Sequence, residues 1–525
     1  MKSSYKRRLE PAWILKGYHE MTTLNRPWRL DQPLLSFGPF ADAFTLETAF
    51  RGTKIYGATG SGKSSGFGAA LGCAYLEHGF GGLVLCAKAD NDELDHWLKL
   101  AKLSSREQSI IHFGIRNQEI DLKFNVIEFL RHLNKSSKND FQINVVTLLK
   151  QITNNFKDQK VSQSDGFWDG VTEQYLTHLI TIALVMCKDT QITFETLFDL
   201  FKSINNNVAF DELIPDFEAE IFSNSDLKLA VSFFAVEFQE LNEKTRSIVI
   251  TALSSMLFKF NVGMLKNLYG TTGNISPKWI MNGAVIVINM PTEEFGEVGK
   301  ISNLIWKFAF QKAVQSREKL NGEYRPIFLW ADEVQDYIHA NDSKFQATAR
   351  SKWCATVFLT QNIPGLRLAL GGGAAAQDAI KSLDSNLVNS IFNQNIDEET
   401  NKYASTVLGL KKVQHKTESF TDFWSSRRTI TVSEKDESRV NFDAFRRLKS
   451  GGKNNGFRVE FYASFPGKKL HYGFREGSYL DHKKFEINQK NITNYVVKNT
   501  HIYDVNFQEE LKNNQGEANG SDAKN

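Results

Sequence analysis

Only four cysteines occur in the 525 residues, Cys73, Cys86, Cys187 and Cys354, and no two stand at a metal-ligand or redox spacing. That excludes a disulfide scaffold and a cysteine-built zinc site, and it fits buried small hydrophobes in a reducing compartment. Long apolar runs are missing too. Nothing approaches the roughly 18–20 apolar residues of a membrane span, and the best stretch, Leu179 to Cys187, reads as a buried helix. The basic start, Met1 to Arg8, leads into no apolar signal segment. These absences predict a cytoplasmic protein without a transmembrane segment of its own, any membrane association coming through partners. Charge of one sign is also lacking. With 63 basic and 60 acidic residues the net charge is +3. This neither identifies nor excludes a nucleic-acid binder, because a channel for nucleic acid needs only locally basic walls. No internal repeat is present.

What the chain does have is core. Hydrophobic residues make up 41% and aromatics 12%, with 40 phenylalanines, so a large globular protein of two to three units is expected. Thr53–Tyr56 reads as a strand, with a helix from Gly62 through about His78. Gly81–Ala87 (GGLVLCA) reads as a buried strand and Asp92 to Leu103 as a helix. Strand, loop, helix, strand, helix opens a parallel α/β sheet. From about 139 to 270 strand signals are scarce and apolar residues recur at helical spacing, as in Leu176, Leu179, Ile180, Ala183 and Leu184. The sheet resumes at Val285–Ile288, Ile327–Ala331 and Ala355–Leu359, each apolar on both faces, and Asn386–Asn395 adds one more strand. Beyond residue 410 the pattern is polar and strand-like. Gln508 to Asn525 is low-complexity and is expected to be a disordered tail.

Gly57-Ala58-Thr59-Gly60-Ser61-Gly62-Lys63-Ser64 matches the phosphate-loop pattern G-x-x-x-x-G-K-[ST] in full, and Ser65 extends the nucleotide-binding set. A triphosphate needs several backbone N–H groups converging on its oxygens, and the chain curls that tightly only where Cβ is absent. The following helix points its positive end at the phosphates. Lys63 is expected to reach the β- and γ-phosphates, and the Ser64 hydroxyl to bind Mg²⁺.

Ile327 to Glu333 (IFLWADE) is an apolar strand ending in two acids. At the carboxyl end of a parallel strand, Asp332 is placed to hold Mg²⁺ and Glu333 to orient or deprotonate the attacking water. The strand Ala355–Leu359 runs into Thr360–Gln361, which sets Gln361 as a sensor of hydrolysis or a positioner of water. Arg350, in the helix between these strands, is a candidate arginine finger for a neighbouring subunit. The expected cofactors are ATP and Mg²⁺.

Taken in order, these residues resemble a family. Phe44-Thr45-Leu46-Glu47, GATGSGKSSG, Phe124-Asn125-Val126-Ile127, Phe167–Trp168, Ser247 to Leu253, GAVIVINMP and, above all, Ala331 to Leu366 are similar to the coupling ATPases of type IV secretion and conjugative DNA transfer, in the HerA/FtsK superfamily. That resemblance implies a RecA-like P-loop NTPase core with a mostly parallel sheet and an inserted all-α domain. It implies a homo-hexameric ring that hydrolyses ATP and passes DNA, or a protein–DNA substrate, along its pore. It places the arginine finger at Arg350 and gives the helical domain a role in recognising cargo or partners. Members usually begin with transmembrane helices, and none is expected in this sequence. Many carry an Asp-Pro-Lys-Gly-Glu-like turn where this one has Cys86-Ala87-Lys88-Ala89-Asp90, leaving Lys88 without an assigned role.

The expected division is a lead-in over 1–50, a first core part over 51–138 and the helical insertion over 139–270. A second core part over 271–410, a strand-rich part over 411–506 and a tail over 507–525 follow. The implied partners are DNA and secretion-channel, relaxosome or nuclease proteins. Two other readings share the motifs: a related motor for genome packaging or antiviral defence, and an ATP-dependent switch or scaffold without translocation.

Overall fold

A computed structural model describes residues 28–37, 42–88, 92–115, 120–133, 140–154, 170–319, 323–420, 428–468, 470–471, 479–480 and 482–499. Phe167–Trp168 and the expected tail lie outside the described residues.

Nine strands form one sheet. In chain order they are β1 (Thr53–Tyr56), β2 (Gly81–Leu85), β3 (Ile110–Gly114), β4 (Val285–Asn289), β5 (Ile327–Ala331), β6 (Cys354–Thr360), β7 (Asn389–Phe392), β8 (Arg458–Ser464) and β9 (His482–Asn488). Across the sheet the order is β9-β8-β7-β1-β6-β5-β2-β4-β3. The pairings from β7 through β1 to β3 are all parallel, while β7–β8 and β8–β9 are antiparallel. The α/β class expected from the sequence is therefore the one found.

Alternation explains why these strands read as continuous apolar runs. In β5, Leu329 and Ala331 face one buried layer while Phe328 and Trp330 face the other. Both layers are closed, so β5 has no polar position to offer on either face. On the second layer the helix Ala69–Glu77 is almost wholly buried, and its Gly72 lies so near Trp97 and Leu100 that an added Cβ would stand 3.0 Å from Leu100. Trp97 in turn stacks on Phe328, with centroids 5.2 Å apart. The first layer continues into the helical region, where Tyr175, Leu179 and Phe234 join the same cluster. Every described element from Val126 to Met281 is helical.

Two differences from the sequence reading stand out. Ile110–Gly114, not anticipated as a strand, is the parallel edge strand β3; the half-buried His112 interrupts its apolar run. The helix expected without a break from Gly62 to His78 is instead a π-type turn, Ser64–Gly68, followed by the α-helix Ala69–Glu77. Gly66 leaves helical geometry there (φ −100°, ψ −107°), and Val459 of β8 is packed where its Cβ would be. A further pair of strands, Leu410–Phe420 and Arg428–Ser438, forms a separate antiparallel ribbon in eleven-residue register.

Candidate functional site

The phosphate loop leaves the sheet at the carboxyl end of β1. Tyr56 is in register with Thr360 of β6 on one side and Phe392 of β7 on the other, so Gly57 emerges between Gln361 and Asn393. Backbone bonds from Gly57 N–H to Thr360 O (3.2 Å) and Ala58 N–H to Gln394 O (3.0 Å) fix that exit. Gly60 and Gly62 then adopt φ of +74° and +82°, left-handed values that a side chain would disfavour. At Gly62 there is also no room, because Val459 would stand 2.6 Å from an added Cβ. Strand β8 thus braces the loop from beneath while Thr59 and Gly60 face solvent.

β6 separates β1 from β5, and the acid pair follows directly on β5. Asp332 and Glu333 are both buried. Glu333 has left-handed backbone geometry (φ 49°, ψ 54°), a costly conformation for a non-glycine residue that its surroundings must hold. Asp332 Oδ1 supplies one restraint by accepting the Glu333 N–H at 3.0 Å. The Tyr337 hydroxyl donates to the carbonyl oxygens of Leu85 (3.2 Å) and Asp332, tying the ends of β2 and β5.

The side chains converge. Lys63 Nζ donates to Glu333 Oε1 at 2.9 Å, and Ser64 Oγ donates to Asp332 Oδ2 at 3.2 Å. Lys88, just beyond β2, bridges both acids, 3.2 Å from Asp332 Oδ2 and 3.4 Å from Glu333 Oε1. Gln335 Nε2 donates to Glu333 Oε2 (2.8 Å), and Thr360 Oγ1 donates to Gln335 Oε1 (3.1 Å), which links β5 to β6. Burial alone would push the Glu333 carboxyl up, but Lys63, Gln335 and Lys88 hold it below its ordinary value, so it stays an anion. Burial lowers the Lys88 ammonium and the two acids more than reverse this, so it stays charged.

Among the described residues, no group of three or more His, Cys, Asp or Glu is placed to hold a metal. One hydroxyl and one carboxylate meeting at Asp332 Oδ2 fit a hard divalent cation that completes its octahedron with phosphate oxygens and water, as Mg²⁺ does. The left-handed glycines and Lys63 fit the phosphates themselves.

Of the expected site residues, the structure thus brings Lys63, Ser64, Asp332 and Glu333 together. Gln361 is half-buried directly after β6, its carbonyl accepting from Asn395 Nδ2 at 2.8 Å. Ser65 is turned elsewhere and bonds Gln489 at 2.6 Å. Arg350 is not part of this cluster. It lies before β6, at the amino end of that strand, a strand length or about 20 Å from the carboxyl ends, and pairs with Glu47 at 3.2 Å. Among the basic residues of the C-terminal part, Lys449 pairs with Glu460 and Glu486, and Lys468 donates to Thr45 Oγ1.

The sequence reading missed Lys88, Gln335, Tyr337 and Asn393 as parts of this site. Asn393 is buried beside Gly57, and neither of its side-chain amide atoms has a hydrogen-bond partner, nor has Ser61 Oγ. Asn393 follows directly on the buried strand Asn389–Phe392, whose own Asn389 and Ser390 are polar, so nothing in the sequence set it apart. Lys88 carries no local signal either, because its partner Asp332 lies 244 residues away, and Gln335, though only two residues from Glu333, is tied to Thr360 25 residues on.

Comparisons with known proteins agree with this fold. No curated protein sequence matches the chain. Among solved structures, the bacterial conjugative coupling protein TrwBdeltaN70, in its unbound monoclinic form, is similar at 15% identity and a TM-score of 0.57, over 93% of this chain and 94% of that one. The plasmid coupling protein TrwB in complex with the non-hydrolysable ATP analogue ADPNP is similar at 14% identity and a TM-score of 0.52, covering 93% and 95%. The same protein in complex with ADP and Mg²⁺ gives 14% and 0.51, covering 92% and 93%. At these identities the likeness establishes the fold. A family model described as type IV secretory system conjugative DNA transfer matches residues 45–450, most of the chain, and the protein belongs to that family.

Proposed function

We propose that this chain binds Mg²⁺–ATP at the loop Gly57–Ser65 and hydrolyses it to drive DNA, or a protein–DNA substrate, through the pore of a homo-hexameric ring. The observation that carries the reading is the convergence of Lys63, Ser64, Asp332 and Glu333 at the carboxyl ends of β1 and β5. Backbone N–H groups of the loop and Lys63 would bind the phosphates, while Ser64 and Asp332 would hold Mg²⁺. The metal, when bound, supplies charge neutralisation at the phosphoryl oxygens. Glu333, an anion in a buried setting, accepts the proton of the attacking water once Lys63 has turned from it to the phosphates. Gln335 keeps that carboxylate oriented, and Gln361 beside the loop positions water or senses its loss.

Arg350 stands far from its own chain's acid pair and is exposed, which favours action on the site of an adjacent subunit. Arg350→Ala is expected to keep nucleotide binding and lose turnover, and adding Lys63→Ala protein is expected to restore part of it. No recovery on mixing would remove the action in trans. The helical part over 139–270 is assigned to recognition of cargo or of partner proteins, among them secretion-channel and relaxosome components.

The deciding experiment is ATPase activity with single- and double-stranded DNA over a salt series. Stimulation that falls steeply with salt is the expected outcome. Turnover unmoved by either DNA would favour a protein-cargo motor or a switch.

A further inference from the structure

Asp332 Oδ2 receives two groups. One is the Ser64 hydroxyl at 3.2 Å, and the other is the Lys88 ammonium, also at 3.2 Å. Ser64 and Asp332 are the pair that the phosphate-loop chemistry assigns to a divalent cation, so Lys88 places a positive charge on the same carboxylate oxygen that the metal would use. Its ammonium is also 3.4 Å from Glu333 Oε1, the oxygen that Lys63 contacts.

Charge and burial explain the arrangement. Asp332 has 3% of its side chain exposed and Glu333 7%, and two adjacent carboxylates so deeply placed require compensation. Lys63 and Lys88 supply it, two cations for two anions. Their mobility differs. The Lys63 side chain is 5% exposed, whereas Lys88 is 38% exposed and sits past the end of β2 on four methylenes, free to move toward solvent. A divalent ion and an ammonium on one carboxylate oxygen would repel at contact distance, so the two exclude each other.

We propose that Lys88 is a built-in counter-cation of Asp332 that competes with Mg²⁺ for Oδ2, so that loading of metal–nucleotide requires Lys88 to leave. Lys88 therefore sets the metal concentration at which the site fills, holding the acid pair neutral and in position until then. This makes Lys88 a positioning residue and gives it the role that the sequence left open. The proposal rests on the assignment of this site to Mg²⁺–nucleotide.

The test is binding of Mn²⁺, as a paramagnetic stand-in for Mg²⁺, to the full chain with saturating ADP, followed by electron paramagnetic resonance. Lys88→Met should lower the Mn²⁺ concentration at half-saturation several-fold, and Lys88→Arg should restore a value near the parental one. Unchanged or weakened Mn²⁺ binding in Lys88→Met overturns the competition while leaving the nucleotide site standing. Should the parental protein itself show no ADP-dependent Mn²⁺ binding, both the competition and the assignment of the site to Mg²⁺–nucleotide fall. Circular dichroism melts of the variants keep the comparison to folded protein, and the half-exposed Lys88 tolerates both substitutions sterically.

Discussion

Ion pairs in the α/β core and in the helical region between β3 and β4 are built differently. Lys307 and Asp342 meet at 2.7 Å with 1% and 2% of their side chains exposed, and Lys54 and Asp384 at 2.7 Å with 6% and 15%. In the helical region Lys202–Asp199 stands at 52% and 67%, and Lys266–Glu195 at 39% and 47%. The buried pairs are tied into networks. Lys307 also donates to the Tyr337 carbonyl, and Gln311 donates to Asp342 at 2.8 Å, so the helix Asp342–Ala349 is anchored beside the acid pair that Tyr337 touches. The exposed pairs join single helical neighbours or adjacent helices and leave the packing to apolar side chains. Buried charges of the α/β core fix geometry near the site, whereas those of the helical region stay solvated.

Breaking the buried class should cost most. Lys307→Met leaves Asp342 buried and unpaired, and a loss of about 3–5 kcal/mol is expected in denaturant unfolding. The double variant Lys307→Met with Asp342→Leu should regain much of it, because no stranded charge remains. If the single change costs under about 1 kcal/mol, the distinction between the two classes is lost.

An intermediate effect is expected at Glu128, the most enclosed acid among the described residues of the helical region. Burial pushes its carboxyl up, but His132, the Ile192 N–H and Arg131 more than reverse this and hold it below the ordinary value. A carboxyl depressed on folding adds stability above its unfolded pKa, near about 4.3, and that stability is lost as pH falls through the lower folded value. Glu128→Gln should therefore flatten the acid limb of the stability–pH curve, with little further change between pH values of about 6 and 8. A parallel downward shift at every pH would instead assign Glu128 a role independent of its charge. Smallest of all, Lys202→Ala should change stability by less than about 0.5 kcal/mol, because its pair is solvated. A larger loss, measured by the same unfolding curves, would mean that the exposed class also carries structure.

The same contrast explains what could be read from the sequence. β5 was legible to the residue, because a doubly covered strand must be apolar throughout and end at its first acids, Asp332 and Glu333. The phosphate loop was legible because its glycines are demanded locally. The π-type turn at Ser64–Gly68 was not, since it depends on Val459 arriving from a strand almost 400 residues later. β3 was missed because it is a five-residue edge strand with His112 at its centre. Lys88 was visible only as a departure from a turn, for its meaning resides in two carboxylates contributed by β5.

All of this converges on Glu333, which Lys63, Lys88 and Gln335 hold as an oriented anion beside the phosphate loop. Single-turnover hydrolysis of radiolabelled ATP by Glu333→Gln, with nucleotide retention measured in parallel, tests that convergence most directly. Retained ATP with hydrolysis reduced by about 10²–10⁴-fold is the predicted result, the range for loss of a general base. Hydrolysis at the parental rate would contradict it.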